Sequence, residues 1–393
     1  MYHELISRDA ECVMQSCGRV PIALDHGQGA RLYDTEGKEY VDFTSGAGMN
    51  SLGYGNWKWA SAVGAQALRL AHVSGLFYSE PYTALAEQLC VRSGMSRALL
   101  MNSGTEANER MIQLARKYSF DKYGHGRSTI ITLQHSFHGN TLTTMAAAGQ
   151  ARYHQYFFPF TAGFRYAQAN DIDSIRETGG DDVCAVMLEL VQGDGGVYPM
   201  DQEFVHQLAV LCAENDWLLL LDEGQTGIGR TGTLFAYQQY GVLPDVLSFA
   251  QGIGGGLSLG GILANDKCKF VLDTGMYAAT LGGSAVACAG GLSVLEQLDD
   301  ALLEEVKIKG EFIRDFLAGL PSSYIADVRG MGLMIGVKIQ GTDYKKLAQK
   351  LMDAGLLVLT AGENTLWLMP PLTITKEEIM AGLAMMQHVL CDM

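Results

Sequence analysis

Between about residue 57 and residue 290 the chain alternates helical patterns with short, unbroken apolar runs. The runs are RALLMN, STIITLQ, VCAVMLEL, WLLLLDE and DVLSFA, and among them lie helical stretches such as YTALAEQLCVRSG and ANERMIQLARKYSF. A strand that is apolar on both faces must be covered on both faces, and helices in a parallel sheet's crossovers provide that cover. The alternation therefore predicts a doubly wound α/β layer structure. At 393 residues the chain also exceeds what one hydrophobic core usually organises, so a second domain is expected.

Residues 1–50 read as short strands and turns, with PIALDHGQGARLYDTEGKEYVDF broken at Asp25 to Gly29 and at Thr35 to Lys38. This segment is expected to pack with a small C-terminal domain. Residues 51–295 form the large domain. Residues 296–393 form a small α+β domain, opened by LEQLDDALLEEVKIKGEFIRDFLAGL as one long amphipathic helix. Its strands are expected in DVRGMGLMIGVKI, GLLVLTAG and TLWLMPPL, and further helices in YKKLAQKLMDAG and KEEIMAGLAMMQHVL.

The charge balance excludes several functions. With 28 Lys plus Arg against 43 Asp plus Glu, the net charge of -15 repels phosphate backbones and anionic lipid. Nucleic acid and membrane are not expected partners, and no segment reaches the ~18 uncharged apolar residues of a span. The eight cysteines are scattered, with no Cys-x-x-Cys pair and no zinc spacing, so no metal site is expected. They read as small buried hydrophobes in a reducing cytoplasm, and the N-terminus carries no signal-peptide pattern.

Ligands of doubly wound sheets bind beyond the carboxyl ends of the strands. After RALLM comes NSGTEANE, where Ser103, Gly104 and Thr105 precede a helix and can cradle a phosphate or simply cap it. After STIITL comes QHSFHGN, with Phe137 able to stack on a planar ring beside His138. After VCAVML comes ELVQGDGG, with Glu189, and after WLLLL comes DEGQTGIGRTG, with Asp222. A carboxylate at that depth calls for a cation or donor, either a protonated ring nitrogen or an internal partner such as Arg230. Gly227, Gly229 and Gly232 spell G-x-G-x-x-G, but the motif stands five residues after its strand, with no acidic residue closing a dinucleotide-binding unit.

Taken together, RLYDTEGKEYVDF, NSGTEANE, FHG, QGDGG, LDEGQTGIGRTGTLFAYQQYG, RGMGLMIG and MPPLTITKEEI resemble, in order and nearly end to end, the class III aminotransferases of the fold-type I pyridoxal phosphate (PLP) enzymes. The likeness is closest to the acetylornithine and ornithine aminotransferases. The resemblance implies a large PLP-binding domain with a mostly parallel sheet plus a smaller α+β domain. It makes Ser103, Gly104 and Thr105 the phosphate cup, joined by Thr280 from a neighbouring subunit. It makes Phe137 the ring-stacking aromatic, Asp222 the partner of the ring nitrogen, and Gln225 the residue near the ring hydroxyl. A pocket shared in this way implies a homodimer or a heterodimer with an active paralogue.

The departures fall where the chemistry belongs. The family reads Ala-Lys-Gly where this chain has Ala250, Gln251 and Gly252, and that lysine forms the Schiff base with PLP. An amide does neither this nor base catalysis. Asn140 and Trp367 stand where the resemblance places arginines for substrate carboxylates, Gly224 where it places a bulky residue against the ring, and Cys17 where it places a tyrosine. Three functions follow as expectations: a non-transaminating homologue holding PLP or its amine form PMP non-covalently; a lysine-independent enzyme acting on a neutral or cationic amine with His138 or Glu189 as base; or an engineered glutamine form of an active acetylornithine-type enzyme.

Overall fold

A computed structural model of the chain describes residues 2–16, 18–276, 280–362 and 364–391. After a helix Tyr2–Cys12 come strands β1 (Leu24–Gln28), β2 (Arg31–Asp34) and β3 (Glu39–Asp42). The middle of the chain supplies β4 (Arg97–Met101), β5 (Thr129–Leu133), β6 (Phe164–Ala167) and β7 (Val183–Leu188). A two-strand ribbon follows, β8 (Val191–Gln192) and β9 (Tyr198–Pro199), and then β10 (Leu218–Glu223), β11 (Val246–Ala250) and β12 (Gly260–Ala264). The C-terminal part adds β13 (Ile325–Met331), β14 (Met334–Ile339), β15 (Leu356–Leu357), β16 (Leu359–Ala361) and β17 (Thr365–Leu368).

The central sheet has seven strands in the order β4-β12-β11-β10-β7-β5-β6. Strand β12 pairs antiparallel with both neighbours, so β4 runs in the same direction as the others and six carboxyl ends share one edge. The unbroken apolar runs resolve into two faces. Leu218 and Leu220 pack into one core with Ala185, Met187 and Ile262, while Leu219 and Leu221 pack into the other with Val186, Leu188 and Leu263. Period-two geometry divides a continuous run between two helical layers, as the sequence pattern requires.

The expected single helix from Leu295 is instead two, Ala285–Gln297 and Asp300–Ala318. Asp299 separates them because its carboxylate accepts from the backbone N–H of Leu302 at 2.8 Å, an N-cap that starts a new helix. Near the N-terminus, Asp25 to Gln28 lie in β1 and not in a turn, and the chain reverses at Gly29, whose φ is +58°. DVRGMGLMIGVKI is a hairpin that turns at Gly332, so β13 and β14 pair antiparallel. Residues Leu356 and Leu357 of β15 pair in parallel with Val41 and Asp42 of β3, which joins the N-terminal segment to the C-terminal part. No helix among the described residues is long and apolar enough to cross a membrane, and no metal-ligand cluster occurs among them.

Candidate active site

Beyond the shared carboxyl edge lies a cavity of about 230 Å³ lined by Ser103 to Thr105, Asn108, Phe137 to Gly139, Glu189, Asp194, Asp222, Gly224, Gln225, Ala250, Gln251 and Trp367. The loops read as separate strand-end features in the sequence thus meet in one place. Of the residues singled out there, Asn140 and Thr280 are exposed and do not line it, and Cys17 lies outside the described residues.

Ser103 caps the helix Gly104–Tyr123, its Oγ accepting from the N–H of Glu106 at 3.2 Å. Glu106 reaches back, accepting from the backbone and side-chain nitrogens of Asn102 at 2.9 Å each. The first helical N–H groups, those of Gly104 and Thr105, have no intrahelical acceptor, and both residues line the cavity. Gly139 presses against this turn at φ +130°; a Cβ there would lie 2.5 Å from Oγ1 of Thr105.

Asp222 anchors the floor of the cavity, 7% exposed. Its Oδ2 accepts from Asn108 Nδ2 at 2.7 Å and lies 2.8 Å from Nδ1 of His138, while Oδ1 accepts from the N–H of Gly224 at 3.0 Å. Facing an oxygen that already accepts from Asn108, Nδ1 of His138 carries the proton. Asn108 itself is locked, donating also to the carbonyl of His138 at 2.8 Å and accepting from Ser248 Oγ at 2.6 Å. Ser248 Oγ also reaches Oδ1 of Asp222 at 3.3 Å. Arg230 is not its partner: it is buried between Ser45 and the carbonyl of Leu333, and burial pushes its pKa down to about 9.

Asn108 and Ser248 were not singled out in the sequence, although both left a trace. Asn108 follows Gly104 by four residues and so lies on the same helix face, and Ser248 is a lone hydroxyl in an apolar strand, opposite Asp222 in the β10–β11 register.

Glu189 is buried, with Oε2 accepting from the N–H of Phe137 at 3.0 Å and Oε1 from that of Gly193 at 3.4 Å. Burial pushes its pKa well above the usual carboxylate value, and the charges of Asp222 and Asp194 add to this. Asp194 is tied to Arg152, to Tyr153 Oη at 2.8 Å and to Gln150 Nε2 at 3.0 Å. Phe137 leans on Tyr153 with ring centroids 5.2 Å apart.

Gln251 ends β11 in a left-handed backbone conformation, φ +33° and ψ -53°, that a side-chain-bearing residue rarely adopts. Such strain is of order 1–3 kcal/mol and gathers at functional sites. Its Nε2 donates to the carbonyl of Ala47 at 3.0 Å. Trp367, on β17 opposite Gly336 of β14, seats its ring edge against Gly193, where a Cβ would lie 2.9 Å from Cζ2 and Cη2. The G-x-G-x-x-G residues lie in a run of turns from 224 to 236, so they do not join a strand to a helix N-terminus as a dinucleotide fingerprint does.

The family model for aminotransferase class-III matches residues 13–390. The acetylornithine aminotransferase of Haemophilus ducreyi is 45% identical over 387 residues, spanning 98% of both chains. That of Caldanaerobacter subterraneus subsp. tengcongensis is 41% identical, spanning 99% of both. Among solved structures, N-acetylornithine aminotransferase from Stenotrophomonas maltophilia K279a superposes with a TM-score of 0.84 at 34% identity, covering 98% of both chains. An ornithine aminotransferase from Toxoplasma gondii gives 0.95 at 28% identity over 100% of this chain and 95% of its own. The fold is that of the fold-type I PLP-dependent enzymes, acetylornithine-aminotransferase-like in sequence and structure, and the chain belongs to the class-III aminotransferases.

Proposed function

We propose that the chain holds PLP or PMP without a covalent bond and does not transaminate glutamate. The observation that carries this reading is a cavity wall that brings Ser103 to Thr105, Phe137, Asp222 and Gln225 together with Gln251, and no lysine among its described residues. The residues fit the cofactor. The N–H groups of Gly104 and Thr105 await an anion, and two buried atoms at the floor, Nε2 of His138 and Oε1 of Gln225, have no hydrogen-bond partner among the described residues.

PLP, when bound, supplies an electron sink at an amine carbon. Ser103 to Thr105 would receive its phosphate, Phe137 its ring face, Asp222 its ring nitrogen and Gln225 its ring hydroxyl. Gln251 has no basic nitrogen with which to attach the cofactor or move a proton. Glu189 is held toward its protonated form by burial. The unpartnered Nε2 of His138 supports a second reading, in which the chain acts on a neutral or cationic amine with His138 as the base.

A partner subunit belongs to this proposal. Thr280 is exposed, and near it in sequence Leu281 is 63% exposed. Leu76, Phe77 and Tyr78 are 81%, 69% and 102% exposed, and the N–H of Val286 bonds the carbonyl of Ala71 at 3.4 Å, which joins these segments. An apolar face of this kind marks a protein contact, and we assign it to a second copy or a paralogue.

Borohydride reduction of the PLP-loaded protein, followed by peptide mass mapping, is expected to fix no cofactor to the chain, and dialysis to remove it. A reduced adduct on any lysine rejects the proposal. Gln251→Lys alone should restore covalent attachment while turnover of acetylornithine with 2-oxoglutarate stays negligible, because Trp367 leaves the cavity without a carboxylate clamp.

A further inference from the structure

The cavity wall carries three carboxylates, Glu189, Asp194 and Asp222, and among its described residues no lysine or arginine. Asp222 is engaged by Asn108, His138 and Gly224, and Asp194 by Arg152, Tyr153 and Gln150. A ligand carboxylate entering here would meet Asp194 and Asp222 with no lysine or arginine on the wall, the arrangement that penalises a buried anion.

An independent observation comes from Trp367. Its indole Nε1 only donates, the residue is 8% exposed, and the atom has no hydrogen-bond partner among the described residues. The ring is fixed by Gly193 and by the strand pairing at Gly336, so it cannot turn easily to find one. A buried donor of this kind is destabilising until an acceptor reaches it, and a ligand that supplies a neutral oxygen is rewarded by that difference.

Resting on the PLP-holding reading above, we propose that the site takes a primary amine whose second polar group is a neutral acceptor, an amide or hydroxyl, and discriminates against the matching carboxylate. Trp367 is the specificity-determining donor.

The test is calorimetric titration of the PLP-loaded protein with 4-aminobutanamide and with 4-aminobutanoate, two probes of equal length and identical amine end. The amide is expected to bind at least ten-fold tighter. Trp367→Phe should weaken the amide at least five-fold and leave the carboxylate unchanged, and Trp367→Arg should reverse the order. Equal or reversed affinities in the unaltered protein, heat from neither probe, or an unchanged amide affinity in Trp367→Phe each overturn the proposal. The phenylalanine variant removes the indole donor together with the ring atoms that touch Gly193, so the carboxylate probe measured on the same variant is the packing control, and the test does not depend on the arginine variant folding. A lysine adduct after borohydride would reject non-covalent binding while leaving the order of the two probes measurable, so the two failures are distinct.

Discussion

Asp222→Asn is expected to weaken PLP binding about 100-fold, measured by fluorescence titration of the cofactor-free protein. The carboxylate is buried and fixed by contacts to Asn108, His138, Gly224 and Ser248, and in the proposed complex it would meet the ring nitrogen. Removing one partner of a buried, hydrogen-bonded charge pair costs roughly 2–5 kcal/mol, and each ~1.4 kcal/mol is a decade in affinity. The exposed Asn140 provides the control, since Asn140→Ala alters no wall of the cavity and should leave the titration unchanged. A loss under about three-fold in Asp222→Asn would remove Asp222 from the proposed site. Asp222→Ala should in addition unfold at lower urea, because Asn108 Nδ2, His138 Nδ1 and the N–H of Gly224 lose their common acceptor, at roughly 1–3 kcal/mol per stranded group.

The part of this site legible in the sequence is the part set by chain-local rules. Strand ends, a helix N-terminus after NSGT, and a carboxylate where a leucine run stops are all visible within a few residues, and they placed Ser103 to Thr105, Phe137, Glu189 and Asp222 on one rim. The hydrogen bonds that lock Asp222 span 114 residues to Asn108 and 84 to His138, and no local pattern encodes them. The same holds for Trp367, which reaches the cavity only because β17 pairs with β14 and Gly193 leaves room for its ring. In the fold, the break at Asp299 was missed because apolar periodicity continues across it, although an aspartate before a helix is a start signal in its own right.

Directly after Asp222, and on the opposite face of β10, Glu223 gives the protein a stability that should fall as pH rises through neutrality. It is fully buried, and burial pushes its pKa from 4.5 up to about 7, with the charge of Asp222 adding to the effect; donation from the N–H groups of Ala236 and Tyr237, both at 2.8 Å, and from Thr226 Oγ1 at 2.7 Å opposes it. The folded state therefore holds this proton more tightly than the unfolded chain does, and unfolding releases it between the two values. Stability is greatest below pH 4.5 for this group, declines from there, and is lowest above about 7. The interval from 4.5 to about 7, at ~1.4 kcal/mol per pH unit, amounts to about 3 kcal/mol. Urea unfolding at pH 5, 6, 7 and 8 should show the decline, and Glu223→Gln should flatten it, since the amide carries no titrating proton; its single oxygen serves only one of the two N–H groups, which bond different carboxylate oxygens, so the whole curve also drops. Glu189 is raised for the same reason and adds in the same direction, so the single variant flattens the curve in part and the double variant with Glu189→Gln further. A Glu223→Gln profile as steep as that of the unaltered protein would mean that Glu223 stays ionised in the fold, its three donors outweighing burial. In that case the charge beside Asp222 would be permanent, and cofactor affinity would not follow the titration of Glu223.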